Sequence, residues 1–488
     1  MAWRPVVGVA AGIVVLLLAF SNEYGYQADE LYFRMLGEHG LAWGYVDQPP
    51  LLPALVHLAA SILGDSLWAI RVPASLCAAA LIVVGAMIAA ELGGSRRAQV
   101  MTAFGLGTST EVLSIGHWIL TTSVDMVSWS VVLLFALRAL LREDGRWWLA
   151  AGAACGLATY AKPLILLLPI ALFPCLLLIG PRSVFRDRRL YLGGALTLVI
   201  GAPNFLYQLL NNIPQLQMAQ SLGATDGSAN RELFFTNLIF LFGPVLVVFW
   251  IIGLIKLFRE PSWRPVRALA LSYILATTAA FLVAGGRPDY TGGFLIAVLA
   301  VGCVIVDRWM GRRKLRLSVV AFGVVLTVAA QIYVSLPVIP LQDVATLEIS
   351  SMSLESVGWP TLVAQVGKAY HQLPSAERSQ AVVLAEDYGE AGAVDRFGKQ
   401  YGLPKVYSGN NQLYSLGPPP ESAHVVVAVG FGSHLLKADF AECQVVAHVN
   451  NGLGVDNPEQ GQPITLCSGR RASWASLWPS YRYLAAYP

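Results

Sequence analysis

The chain has 488 residues, 56% of them hydrophobic and only 13% charged, with a formal net charge of +3. Its mean hydropathy of +0.58 is more than a water-soluble domain can hide, which excludes an ordinary soluble protein and points to a polytopic α-helical membrane protein. The basic residues fall in short separate clusters, which excludes a nucleic-acid-binding tract.

A helix crosses a bilayer with roughly 20 apolar residues. On that rule spans are predicted near 5–21, 67–91, 98–115, 119–138, 147–161, 163–180, 190–210, 233–256, 267–285, 290–307 and 316–337, eleven in all. The run 5–20 follows Arg4 and ends among small residues, as a signal peptide does. No clear A-x-A site appears and many spans follow, so it reads as a retained first helix.

Alternate loops carry the basic residues: Arg96 and Arg97, then Arg138, Arg142 and Arg146, then Arg182 to Arg189, Lys256 to Arg267, and Arg308 to Arg316. The intervening loops hold few, such as Arg34, Lys162, Arg231 and Arg287. Positive charge stays on the cytoplasmic side. The N-terminus is therefore expected in the cytoplasm, with residues 22–66 and the C-terminal part outside.

The outer loop opens with GYQADELYFRMLGEHGLAWGYVDQPPL at 25–51. Residues 30–39 form an amphipathic pattern suited to a surface helix, and LLPALVHLAASIL at 51–63 suits a second one. Asp29 has two readings. It caps the first helix with Glu30 favouring the positive end, or it faces a substrate cavity and accepts a proton from an attacking hydroxyl. Asp47-Gln48-Pro49-Pro50 is a turn by its prolines. Thr122-Ser-Val-Asp125 fits a capping box, yet Asp125 lies deep enough in an apolar run to need a cavity or a cation. Lys162 in ATYAKP, Arg287 in GGRPDY, and Arg71 are cations on the same expected face. Lys162 either snorkels or binds a phosphate as a point charge.

From about residue 341 the composition changes. Residues 381–385 and 423–431 read as buried strands and 361–370 as a helix, a small soluble α/β domain running to residue 488. No Walker A loop and no G-x-G-x-x-G is present, and His39, His57 and His117 lack zinc-site spacing. No metal ligand is assigned, and a divalent metal is left open. Cys77, Cys155, Cys175 and Cys303 lie in apolar runs; Cys443 and Cys467 are either a disulfide or two free thiols.

Taken in order, ADELYF (28–33), YVDQPPL (45–51), TTSVD (121–125), GLATYAKP (156–163) and GGRPDY (285–290) resemble the GT-C glycosyltransferases. The likeness is greatest to the branch of protein O-mannosyltransferases and lipid A aminoarabinose transferases. DYGEAGAVDRFG (387–398), VYSGNNQLYSLGPP (406–419) and NNGLGVDNPEQGQP (450–463) look like the soluble outer domain of actinobacterial-type members. The resemblance implies a GT-C-like catalytic domain over 1–340, including outer loop 22–66, in a bacterial plasma membrane. It implies a polyprenyl-phosphate sugar donor, an acceptor hydroxyl or phosphate on a lipid, glycan or protein, and an inverting single displacement. Asp29 would be the base and Glu30 would orient the acceptor or Asp29. Asp47, Gln48 and Asp125 would shape the sugar site. Arg71, Lys162, Arg287 and Tyr290 would bind donor. The chain departs from the family pattern at Gln48, where His or Lys is usual, and at Arg287, where Lys is common. A transporter or flippase, or a non-catalytic binder of lipid-linked sugars, is the competing class. The absence of a clear internal repeat and the clustering of charge at one surface favour the enzyme.

Overall fold

The computed structural model describes residues 1–39, 41–225, 227–283, 285–346 and 351–485. It resolves into two compact units. The helical unit comprises Met1–Ser21, Gln48–Leu52 and Arg71–Leu336; the sheet unit comprises Asn22–Asp47, Pro53–Ile70 and Pro337–Pro488. Most of residues 22–66 thus fold with the C-terminal part of the chain rather than with the helices that flank them in sequence.

In the helical unit, Leu67–Glu91, Thr121–Leu141, Arg188–Leu210, Pro288–Met310 and Lys314–Ser335 are long and apolar enough to span a bilayer. A sixth candidate is the pair Gly227–Phe240 and Pro244–Arg259, bent by 88°. The bend lies at Gly243, whose φ of 90° is a left-handed conformation that a side chain would strain. Five or six such helices among the described residues are fewer than the eleven hydropathic runs, because several runs are interrupted. The run 98–115 becomes Arg96–Gly107 and Thr110–His117, with Ser109 capping the second piece through Val112 N at 3.3 Å. Trp3–Ala19, Pro163–Ile179 and Ala268–Leu282 are shorter apolar helices, as is Arg146–Ala158.

The basic loops that the charge pattern groups together do meet at one end of this unit. Glu91 accepts from Arg138 Nε at 2.8 Å and from Arg142 Nη2 at 2.5 Å. Arg97 pairs with Asp307 and donates to the Gly311 carbonyl, and Arg267 donates to the Ile179 carbonyl.

The sheet unit is built on five strands: β1 (Ala381–Ala385), β2 (Val406–Tyr407), β3 (Val425–Val429), β4 (Phe440–His448) and β5 (Pro463–Arg470). Their order is β2-β1-β3-β5-β4. β1 runs parallel to β2 and β3, while β5 runs antiparallel to β3 and β4. The unbroken apolar runs of β1 and β3 are buried along their whole length, as expected for central parallel strands. Trp474, Trp478, Tyr481, Phe431 and Phe440 close one core cluster of the sheet.

Two helices matter for the site. Ala28–Glu38 packs on Tyr388–Phe397, and a Cβ on Gly392 would come within 2.8 Å of the Leu31 Cβ. Only glycine allows that approach. Arg34, 7% exposed, ties the same pair: Nη1 donates to Asp395 at 3.0 Å, while Nε donates to Asp65 and Nη2 to Asp65 and Glu38.

Cys443 and Cys467 face each other across β4 and β5 and form a disulfide. It closes a loop between residues 24 apart in sequence, for which the chain-entropy argument gives roughly 3 kcal/mol. A Cys443→Ala/Cys467→Ala variant is expected to melt several degrees lower, by differential scanning fluorimetry, than the oxidised protein. Reduction of the wild type should reproduce the shift.

Candidate active site

The first set of residues lies in the sheet unit. Helix Ala28–Glu38 is capped by Gln27, whose side-chain oxygen accepts from Asp29 N at 2.6 Å. Glu30 completes the box by accepting from Gln27 N at 3.0 Å and is fully buried. The capping reading therefore applies to Gln27 and Glu30, not to the Asp29 carboxylate. That carboxylate instead accepts a hydrogen bond from the Tyr388 hydroxyl at 2.9 Å. The Tyr32 hydroxyl donates to Asp47 Oδ1 at 2.8 Å and receives Gln412 N at 3.1 Å. Burial pushes the Asp47 carboxyl up to about 7, partly offset by the Tyr32 hydrogen bond, with the Asp29 charge adding to the rise. A carboxylate near neutrality is suited to exchanging protons.

The second set lies in the helical unit. Lys162 and Arg287 each precede a proline, are held extended by it, and stand immediately before a 3₁₀ turn. Their charges meet on one ring: Lys162 Nζ lies 5.1 Å and Arg287 Cζ 5.8 Å from the Tyr290 ring centre. Arg287 is braced by Asp289 through two hydrogen bonds of 3.0 and 3.2 Å. Lys162 Nζ is 3.4 Å from Thr122 Oγ1, at the start of Thr121–Leu141. Leu51 N donates to the Tyr160 carbonyl at 3.1 Å, which draws the Gln48-Pro49-Pro50 turn to the Lys162 segment.

Asp125 is 3% exposed, and its Oδ1 has no hydrogen-bond partner among the described residues. The capping box expected here does not form with Asp125. Leu120 is the N-cap, and Ser123 is the residue that accepts from its N–H at 3.0 Å. Asp125 sits one turn further in, within electrostatic range of Lys162 and Asp289. Glu111 is acted on by Asp289, Arg287, Lys162 and Asp125 together. Gln48 is buried, with its Nε2 unpartnered among the described residues.

Arg71 lies in the core of the helical unit. It is fully buried, donates to the Ser21 carbonyl at 2.7 Å and stands 3.2 Å from His117 Nε2. A guanidinium bonded to a backbone carbonyl in the core braces helix packing.

A third group lies in the sheet unit, where Asp387, Glu390 and Glu459 place carboxylate oxygens within 4.8 Å of one another. Asp387 and Glu390 are also the capping box of Tyr388–Phe397. DYGEAG is thus a strand-to-helix turn whose cap is buried. Such a trio can share protons or accept a divalent cation. Burial raises all three carboxyls, Glu390 and Glu459 well above the carboxylate range, and Glu386 is raised to about 7 by burial and the Asp387 charge. Groups raised on folding bind more protons in the native state. Their contribution is present below the unfolded carboxylate range and is lost as pH rises through about 7 and above. The sheet unit should therefore melt at a lower temperature at pH 8 than at pH 5.5, and Glu459→Gln should flatten that slope. A thermal series against pH checks it, and added calcium at pH 8 would raise the melting point only if the trio takes a cation.

Residues 47–207 match the family model described as dolichyl-phosphate-mannose-protein mannosyltransferase. The structure is similar to that of ArnT from Cupriavidus metallidurans bound to undecaprenyl phosphate. The TM-score is 0.61 and the identity 17%, over 94% of this chain and 97% of that one. The likeness shows that the chain shares the fold of that transferase. A further match is the Archaeoglobus fulgidus oligosaccharyltransferase in its apo form, with a TM-score of 0.52 and 14% identity, over 79% of this chain and 62% of that one. No curated protein matches by sequence.

Glu111, Asp289, Tyr32 and Tyr388 join the candidate sets although the sequence pattern did not single them out. Asp289 and Tyr388 stood inside quoted motifs, GGRPDY and DYGEAG. Glu111 carried no local signal beyond being an acid in an apolar run.

Proposed function

We propose that the protein is a membrane glycosyltransferase that moves a sugar from a polyprenyl-phosphate donor to an acceptor hydroxyl or phosphate at the extracytoplasmic face. The observation that carries this reading is the pairing of Lys162 and Arg287 on the Tyr290 ring, with Asp125, whose Oδ1 has no partner among the described residues, in range. Two cations held by pre-proline backbone suit a phosphate. A buried acid with a spare oxygen suits a sugar hydroxyl. The ArnT structure similar to this chain was solved with undecaprenyl phosphate, which supports a lipid monophosphate as the group recognised. The alternation of basic loops supports the extracytoplasmic placement and the cytoplasmic N-terminus.

In the proposed reaction the acceptor oxygen attacks the anomeric carbon as the bond to the phosphate oxygen breaks, with inversion. Asp29 takes the acceptor proton, and the polyprenyl monophosphate leaves with the bonding pair. Lys162 and Arg287 stabilise the charge that grows on it. Asp125 and Gln48 hold sugar hydroxyls, and Asp47 takes part through its near-neutral carboxyl. Glu30 acts by fixing the helix start that carries Asp29.

The test is release of undecaprenyl phosphate by the purified protein from a panel of radiolabelled undecaprenyl-phosphate hexoses and pentoses. Turnover of one of them with sugar appearing on an acceptor is expected. Transport of the intact donor across proteoliposomes with no bond cleavage would replace the enzyme by a flippase.

A further inference from the structure

We infer that Tyr388 is a positioning residue for Asp29. This rests on the reading of Asp29 as the base and adds a residue from the C-terminal part of the chain to that function.

The hydroxyl of Tyr388 donates to Asp29 Oδ1 at 2.9 Å across 359 positions of sequence. Tyr388 is 5% exposed, so its ring has little freedom to swing away. Its backbone N–H is held by Asn410 Oδ1 at 3.1 Å, and its helix start is fixed by the Asp387–Glu390 box. The ring lies 4.8 Å from that of Tyr32, whose own hydroxyl donates to Asp47. Burial and the Asp47 charge keep the Tyr32 phenol well above its ordinary range, so it remains a donor. The two carboxylates proposed for proton transfer and sugar binding therefore each carry one tyrosine hydroxyl, and the two rings pack together.

A hydroxyl donated to a carboxylate favours its charged form and engages one of its oxygens. For a general base both effects are useful. The Tyr388 bond favours the charged form of the carboxylate and fixes its orientation. Among the described residues, Asp47 and Tyr32 face this pair, and the Asp29 charge acts on both.

The experiment compares full-length wild type, Tyr388→Phe, Asp29→Asn and the double variant in detergent, using the undecaprenyl-phosphate sugar that wild type turns over. Tyr388→Phe is expected to lower kcat about tenfold with donor KM unchanged, the scale of losing one charge-assisted hydrogen bond. The acid limb of its kcat/KM profile should move to higher pH, and its melting temperature should stay close to wild type. The double variant should be no slower than Asp29→Asn. Tyr388→His, which keeps a donor, should recover part of the rate, and it stands in if the Phe variant fails to fold. A Tyr388→Phe enzyme with wild-type kcat and acid limb overturns the inference. So does a rate loss that comes with a lower melting temperature and an unmoved limb, which would mean packing alone. If instead Asp29→Asn is fully active, the base assignment fails, and that outcome is distinct from a silent Tyr388→Phe.

Discussion

Asp29→Asn is expected to lower sugar transfer by roughly a hundred- to ten-thousandfold, the range of a lost general base, while expression and melting temperature stay near wild type. The structural reason is the division of labour at the start of helix Ala28–Glu38. Gln27 and Glu30 make the capping box, so removing the Asp29 charge leaves that cap in place. Asparagine matches aspartate in shape and can still accept from the Tyr388 hydroxyl, so packing is preserved while basicity is lost. Glu30→Gln should behave in the opposite way. Its carboxylate is fully buried in the cap, and weakening it should lower stability by about 1 kcal/mol and affect turnover only through the misplaced helix start. Steady-state kinetics beside thermal melts separate the two. Wild-type transfer by purified Asp29→Asn would remove it as the base and leave Asp47, whose carboxyl lies near 7, as the group to test next.

Lys162→Met is expected to reduce kcat by about two to three orders of magnitude, equivalent to roughly 2.7–4 kcal/mol for one donor to a developing anion. Methionine keeps the length and apolar stem of the side chain and removes only the ammonium. Arg287→Met should lose less. Arg287 is about half exposed and shares its guanidinium with Asp289, so part of its charge is already answered. Lys162→Arg should restore only a fraction of the rate, because a planar fork does not replace a point charge. The measurement is single-turnover release of undecaprenyl phosphate from labelled donor, which isolates the bond-breaking step from product release. A Lys162→Met protein that cleaves the donor at wild-type rate would show that the leaving phosphate is stabilised elsewhere.

Several features of the candidate sets were legible in the chain because they depend on short-range physics. The dipeptides Lys162-Pro163 and Arg287-Pro288 each force the basic residue out of the helical region before a new turn begins. The buried runs 381–385 and 423–431 contain the central strands β1 and β3. The clustering of Arg and Lys in alternate loops foresaw which helix ends share a face, and the pairs made by Glu91 and Arg97 lie on it. Other readings went differently for equally physical reasons. A sequence shows that an acid stands near a helix start but not which neighbour reaches the free N–H groups first. At Ala28–Glu38 that neighbour was Gln27, and at Thr121–Leu141 it was Ser123, so neither cap is made by the carboxylate of Asp29 or Asp125. The position of Arg71 in the chain did not show that its guanidinium reaches the Ser21 carbonyl in the core.

By itself, then, the sequence determined the membrane-helix class, the two central strands β1 and β3 of the C-terminal sheet, and the backbone setting of the two cations. Hydropathy, β-branching and proline act over a few residues. Only the tertiary structure decided that Cys443 meets Cys467, that most of residues 22–66 fold with the C-terminal part, and that the Tyr388 hydroxyl bonds Asp29. Those are partnerships between groups tens to hundreds of residues apart. They are set by which buried polar atoms find one another once the apolar faces have packed, and no local pattern encodes that choice.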